Sequence, residues 1–143
     1  MPPPPLDSAQ QWFSDASDWG YGAYFEGEYF FGPWTAEEAR LSINIRELIC
    51  LSFALDVFGT RLRGQHIWAR CDNSVSVTVV QNLFAKNPIL VHLVRRIHSN
   101  QARFDISLSP LHIAGVDNIL ADPLSRNEID LFLSRVPAAS ALV

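Results

Sequence analysis

The stretch QWFSDASDWGYGAYFEGEYFFGPW, Gln11 to Trp34, decides the fold. It holds three short runs of aromatic and small residues separated by turn chemistry. Gln11 to Asp15 reads as a strand start, Ser17-Asp18-Trp19-Gly20 as a turn, and Gly22 to Glu26 as a second strand. Gly27 makes the next turn and Glu28 to Trp34 the third strand. Together they predict an antiparallel meander, with Asp15 at the end of its first strand.

Beyond Trp34 the period changes from two to that of a helix. Asn44 to Phe58 predicts a helix whose core stripe is Leu48, Leu51, Ala54, Leu55 and Phe58, with Gly59 as its C-terminal stop. Glu47 points with that stripe. Gln65 to Asp72 predicts a fourth strand, its apolar run HIWARC ending at the acid. Ser74 to Val79 alternates with period two, which taken alone argues strand. Pro88 opens a helix with Ile89, Leu90, Leu93, Val94 and Ile97 on one face and Arg95 and Arg96 on the other. Ile106 to Ile113 predicts a fifth strand, and a helix closes the chain.

At 143 residues, 48% apolar and 18% charged, the chain predicts one domain with a sizeable core rather than a disordered segment. Its expected organisation is a proline-rich tail over 1–10, a single domain over 11–136 and a C-terminal tail over 137–143. The opening MPPPPLDS has neither a positive n-region nor an apolar h-region, so no signal peptide, membrane span or membrane partner is expected. Cys50 and Cys71 have no C-x-x-C spacing, which predicts buried thiols in a reducing, intracellular setting, cytoplasmic or nuclear.

The formal net charge is −4, but it is unevenly spread. Residues 1–39 hold seven acids and no Lys or Arg, whereas residues 40–103 hold nine basic residues against Glu47, Asp56 and Asp72. Arg61, Arg63, Arg70, Lys86, Arg95, Arg96 and Arg103 can form a face that tracks phosphates, or they can be a solvated surface.

Four carboxylates each interrupt or close an apolar segment: Asp15, Glu47 in INIRELICLSFAL, Asp72 in HIWARCDNS and Asp122 in HIAGVDNILADPLSR. An acid in such a place costs several kcal/mol unless it is neutralised or bound to a cation. Converging, the four would make an oxygen-rich anionic cluster of the kind that holds hard divalent ions, and such a site suits phosphodiester hydrolysis.

The motifs around these acids carry a resemblance that runs from about residue 11 to about residue 126. DAS-x2-G-x-GAY, then RELI-x-LSFAL, then CDN, then H-I-x-G-x-x-N-x2-ADPLSR, resembles the ribonuclease H domain of a retrotransposon reverse transcriptase, of the DIRS or gypsy type in particular. The resemblance implies a ribonuclease H-like α/β fold: a five-stranded mixed sheet with an antiparallel N-terminal meander and helices on both faces. It implies a helix rather than a strand over Ser74 to Val79; only five residues, Phe84 to Pro88, then separate the two middle helices, which leaves no room for the extra basic helix that some cellular and retroviral members insert. It also implies an endonuclease that hydrolyses the RNA strand of an RNA–DNA hybrid with two Mg2+ ions, Mn2+ being able to substitute. Asp15 would bridge both ions, Asp122 would complete the water-activating one, and Glu47 and Asp72 the other. Asn118 matches the family's Asn and would orient the site; Asn73 and Ser74 can contact the hybrid backbone near the metals, and the charge distribution offers Arg95, Arg96, Arg61 and Arg63 for tracking phosphates. The implied partner in the parent polyprotein is a reverse transcriptase polymerase domain. No Tyr-x-Asp-Asp motif of a polymerase occurs in the chain itself.

Each residue also has a plain structural reading. Asp15 can be a turn residue, and Glu47 a helix-dipole acid. Asp72 or Asn73 can cap the following helix, and Asp122 before Pro123 has the form of an N-cap with Pro at N1. Asn118 can be a turn residue of Gly115-Val116-Asp117-Asn118. His112 lies upstream of the mobile His that retroviral and cellular members carry, and reads first as a core or strand-edge residue. A D-x-E exonuclease motif is excluded because Ala16-Ser17 follow Asp15, and an integrase order is excluded because the Glu comes second. The alternative function is a non-catalytic or decayed module on the same fold.

Overall fold

The computed structural model describes residues 10–71 and 88–142. Strands β1 (Gln10–Ala16), β2 (Gly20–Phe25) and β3 (Glu28–Pro33) form the predicted meander, each boundary within two residues of its expected place. Helix α1 (Ala36–Ala39) follows, started by a Thr35–Glu38 capping box, and leads to α2 (Ile43–Phe58), whose N-cap is Ser42. A 3-10 turn over Gly59–Leu62 reaches β4 (His66–Cys71). Then come α3 (Pro88–Phe104), β5 (Ser107–His112), α4 (Ala121–Ser125), α5 (Ile129–Arg135) and β6 (Ser140–Ala141).

The described strands make one mixed sheet in the order β5-β4-β1-β2-β3-β6. β1 and β2, and β2 and β3, pair antiparallel, while β4 and β5 run parallel to β1. The five predicted strands are present. The tail expected over 137–143 adds a short sixth: Ser140 and Ala141 pair parallel with Glu28 and Tyr29, Ser140 N donating to Gly27 O and Leu142 N to Tyr29 O. This bridge covers one end of the β3 edge, which would otherwise offer open backbone to another chain.

Helices occupy both faces. The alternation of β1 sends Trp12 inward, where its ring lies 6.0 Å from that of Phe58, in a core shared with Leu48, Leu51, Leu55, Ile67 and Ile97. On the opposite face Tyr29 and Phe132 meet at 4.7 Å, with Leu124 buried between α4 and the meander. The whole predicted α2 stripe is in the first core, from Leu48 to Phe58. On α3, Val94 and Ile97 are buried and Arg95 and Arg96 exposed, as the wheel predicts, but Ile89 in the first turn is 44% exposed.

Gly59 is not a left-handed stop. Its φ is −58°, and the chain tightens into the 3-10 turn instead of reversing. The residue is small because a Cβ there would lie 2.7 Å from the Phe104 ring, so the C-terminal ends of α2 and α3 meet over it. The helix expected over Ser74 to Val79, and the gap after it, lie outside the described residues. Among the described residues no helix is long and apolar enough to cross a membrane.

Candidate active site

The sheet register sets Asp15 at one end of the sheet. Asp15 is the penultimate residue of β1, paired with Gly22, and Ser14 before it pairs with Cys71, the residue preceding Asp72. Asp72 itself, with Asn73 and Ser74, lies outside the described residues. Asp15 is 3% and Glu47 2% exposed, so neither is a surface turn or dipole acid. Glu47 comes from the second turn of α2 and reaches over the sheet end, its Oε1 accepting from Ala16 N at 3.1 Å.

Cys50, one turn after Glu47, lies beneath the two acids. Its Sγ donates toward Asp15 O and Gly22 O at 3.4 Å. Burial pushes this thiol well up, and the negative charges of Glu47 and Asp15 push it further. The Glu47 bond to Ala16 N and the Cys50 contact with Asp15 O show how closely β1 and α2 approach here.

The third acid arrives from the other face of the sheet. Asp122 is the second residue of α4, whose N-cap is Leu120 with no side-chain cap bond, so the N-cap reading of Asp122 is overturned. Pro123 therefore stands two places further into the helix than that reading required. The Asp122 carboxylate instead turns to Arg126, Nε to Oδ1 at 2.9 Å, the i,i+4 geometry of one helical turn. This pair, with Asp15 and Glu128 adding to the field, raises the Arg126 pKa.

Serine hydroxyls and one amide lock these pieces together. Ser125, fully buried, donates to Asp15 Oδ2 at 2.8 Å, with Asp122 O a competing acceptor at 2.9 Å. Ser17 donates to Ser125 O at 2.5 Å and accepts from Trp19 N and Gly20 N, fastening the β1–β2 turn to the end of α4. Asn118, 1% exposed, donates from Nδ2 to Ser14 O at 3.1 Å, while its own carbonyl accepts from Asp122 N. It is thus both a turn residue and the tie between β1 and the Asp122 segment. Its buried Oδ1 has no hydrogen-bond partner among the described residues.

The close seat of α4 depends on Gly22. A Cβ there would lie 2.9 Å from Ser125 N and from Leu124 C, so only glycine lets this helix settle beside Asp15. Buried Arg46, next to Glu47, donates to Ser17 O at 2.9 Å and to Asp18 Oδ1 at 3.3 Å. Trp34 Nε1 shares the Ser17 carbonyl at 2.7 Å.

Other predicted site residues fall elsewhere. Arg61 and Arg63 precede β4, whose first residues lie beside Gln10 at the far end of β1, five residues or about 16 Å from Asp15. Arg61 pairs with Glu28 and lies over the Phe25 ring, and Arg63 donates to Arg103 O at 3.5 Å. Arg96 on α3 pairs with Asp56 of α2 at 3.1 Å, leaving Arg95 exposed beside it. His112 is exposed at the end of edge strand β5, level with Cys71.

Sequence reasoning passed over Arg46, Ser17, Ser125 and Arg126. Only Arg126 had a local signal, its spacing of four from Asp122. The donor set suits a hard cation: the three described acids offer oxygen alone, and both cysteines are buried, outside any disulfide, in β4 and α2. Among the described residues, however, no group of three or more His, Cys, Asp or Glu side chains is gathered tightly enough to hold a metal ion.

No protein-family model and no curated protein matches the sequence. Solved structures do match. The ribonuclease H1 of Halobacterium salinarum NRC-1 is similar at a TM-score of 0.66 and 18% identity, over 86% of this chain and 98% of that one. LC11-RNase H1, solved in complex with an RNA/DNA hybrid, is similar at 0.64 and 20%, over 84% and 96%. The protease–reverse transcriptase of prototype foamy virus gives 0.52 and 15%, 82% of this chain matching 17% of that one. At these identities the likeness is one of architecture, and the architecture is ribonuclease H-like.

Proposed function

We propose that this chain is a divalent-metal-dependent nuclease that hydrolyses the RNA strand of RNA–DNA hybrids, as the ribonuclease H domain of a retroelement reverse transcriptase. The observation that carries the reading is the meeting of two buried acids at the end of β1, Glu47 being hydrogen-bonded to the residue after Asp15. Burial of two like charges opposes folding, which supports a bound divalent cation there. The retroelement assignment rests on the DAS-x2-G-x-GAY and ADPLSR motifs and on the foamy virus match in fold. The hybrid as substrate is supported by the LC11 enzyme, which was solved with one.

Asp15, Glu47 and Asp122, with Asp72, would hold two Mg2+ ions, which when bound activate water and stabilise the leaving oxygen of an in-line displacement. The chain's own part is to orient. Ser125 fixes the Asp15 carboxylate by its Oδ2, the Ala16 amide fixes Glu47, and Asn118 fixes the segment that delivers Asp122. Arg46 and Ser17 keep the β1–β2 turn from moving against them. Arg95 and Arg96, on the exposed face of α3, are the proposed phosphate contacts, Arg96 by exchanging its exposed pair with Asp56 for a phosphate; Arg61, paired with Glu28, and Arg63 are proposed to make none. Incubation of the purified chain with end-labelled hybrid and Mg2+, against single-stranded RNA and EDTA controls, tests the reading.

A further inference from the structure

Asp122 is the most exposed of the three described acids, and the charge that faces it belongs to the protein. Arg126 Nε lies 2.9 Å from Asp122 Oδ1, and the two side chains are 57% and 38% exposed. Both belong to one rigid element: Asp122 is in the first turn of α4 and Arg126 is its C-cap residue. The pair therefore forms without ordering any long-range contact. Ion pairs this exposed are weak, shifting an equilibrium by no more than about fivefold, so a divalent ion can displace the guanidinium.

We infer that Arg126 is an internal counter-cation, a positioning residue that occupies the Asp122 carboxylate until a divalent ion displaces it, and so sets the ion concentration at which the site fills. The inference rests on the proposed metal-dependent function. An ion that binds Asp122 through Oδ1 must break the Asp122–Arg126 bond, and of the three described acids Asp122 is the one that the buried network does not hold by its carboxylate. Asp15 is held by Ser125 and Glu47 by the Ala16 amide, whereas the buried groups Asn118 and Ser125 hold Asp122 through its backbone and Arg126 meets its carboxylate.

The test is Mn2+ binding by the full chain without nucleic acid, read from the electron paramagnetic resonance signal of the free ion. Arg126→Gln is expected to bind Mn2+ about two- to fivefold more tightly than the wild type, the size expected when an exposed competitor is removed. Arg135→Gln, a charge-matched change on α5, controls for net charge and is expected to change affinity less. In an Asp122→Asn background, Arg126→Gln is expected to have no effect, because no carboxylate remains to compete for. Equal affinity in wild type and Arg126→Gln overturns the inference and leaves the nuclease proposal standing. Tightening that persists in the Asp122→Asn background also overturns it, as a general field effect. Absence of Mn2+ binding in every form overturns both.

Discussion

Glu47 Oε1 accepts a hydrogen bond from the backbone amide of Ala16, the residue that follows Asp15, across 31 positions of sequence. This contact pins the second turn of α2 to the end of β1 and keeps two buried acids side by side. In the unliganded chain that arrangement is repulsive. Asp15→Asn is therefore expected to leave thermal stability unchanged or raise it by a few degrees, about 4 °C per kcal/mol of relieved repulsion. Thermal melts in EDTA check this, and a fall of several degrees would mark Asp15 as a structural acid.

Gly22 is where the two halves of the site touch. Gly22→Ala is expected to cost about 1–3 kcal/mol, because the new methyl group meets the Leu124 and Ser125 backbone at 2.9 Å and α4 must shift. That shift moves Ser125 off Asp15, so hydrolysis is expected to fall with stability. Paired denaturant titrations and activity assays check it; wild-type values in both would show that α4 packs more loosely than described.

Much of this architecture was legible locally, and the reasons for the exceptions are physical. The meander announced itself through Gly and turn residues between aromatic runs, and α2 through a stripe on which Glu47 was the one acid. The seating of α4 was not legible, since the bonds from Ser125 to Asp15 and from Ser17 to Ser125 join residues 110 and 108 positions apart. β6 was missed because its pairing uses backbone groups of Ser140 and Leu142, which leave no side-chain pattern. Asp122 before Pro123 imitates an N-cap, but the chain enters α4 earlier, at Leu120. The pairing of the basic middle was not legible for a similar reason: Glu28 and Asp56, distant in sequence, meet Arg61 and Arg96.

The buried thiol gives a pH prediction. Because burial and the adjacent acids raise the Cys50 pKa, the unfolded chain loses this proton first as pH climbs past about 8.5. Its contribution to stability is complete below that pH and declines above it. Melts from pH 7 to 10 are expected to show a steeper alkaline loss for wild type than for Cys50→Ala. Both Cys50 and Cys71 are also expected to resist a thiol reagent in the native chain and to react on unfolding.

The arginines are expected to divide into two pairs. Replacing Arg61 and Arg63 together with Gln is expected to leave the salt dependence of hybrid binding unchanged. Replacing Arg95 and Arg96 is expected to flatten the log K against log salt slope by about 0.7–0.9 for each phosphate that is no longer neutralised. Salt titrations in Ca2+ measure both; a flatter slope for the Arg61 and Arg63 variant would place the hybrid at the opposite end of the sheet from Asp15.

The most direct test is cleavage of an RNA–DNA hybrid carrying a label on each strand, by wild type and by Asp15→Asn, with Mg2+ and with EDTA. The expected result is cutting of the RNA strand alone, leaving 3′-hydroxyl and 5′-phosphate ends, abolished by EDTA and by the substitution. Cutting of single-stranded RNA at the same rate, or cutting that survives EDTA or Asp15→Asn, would contradict the account.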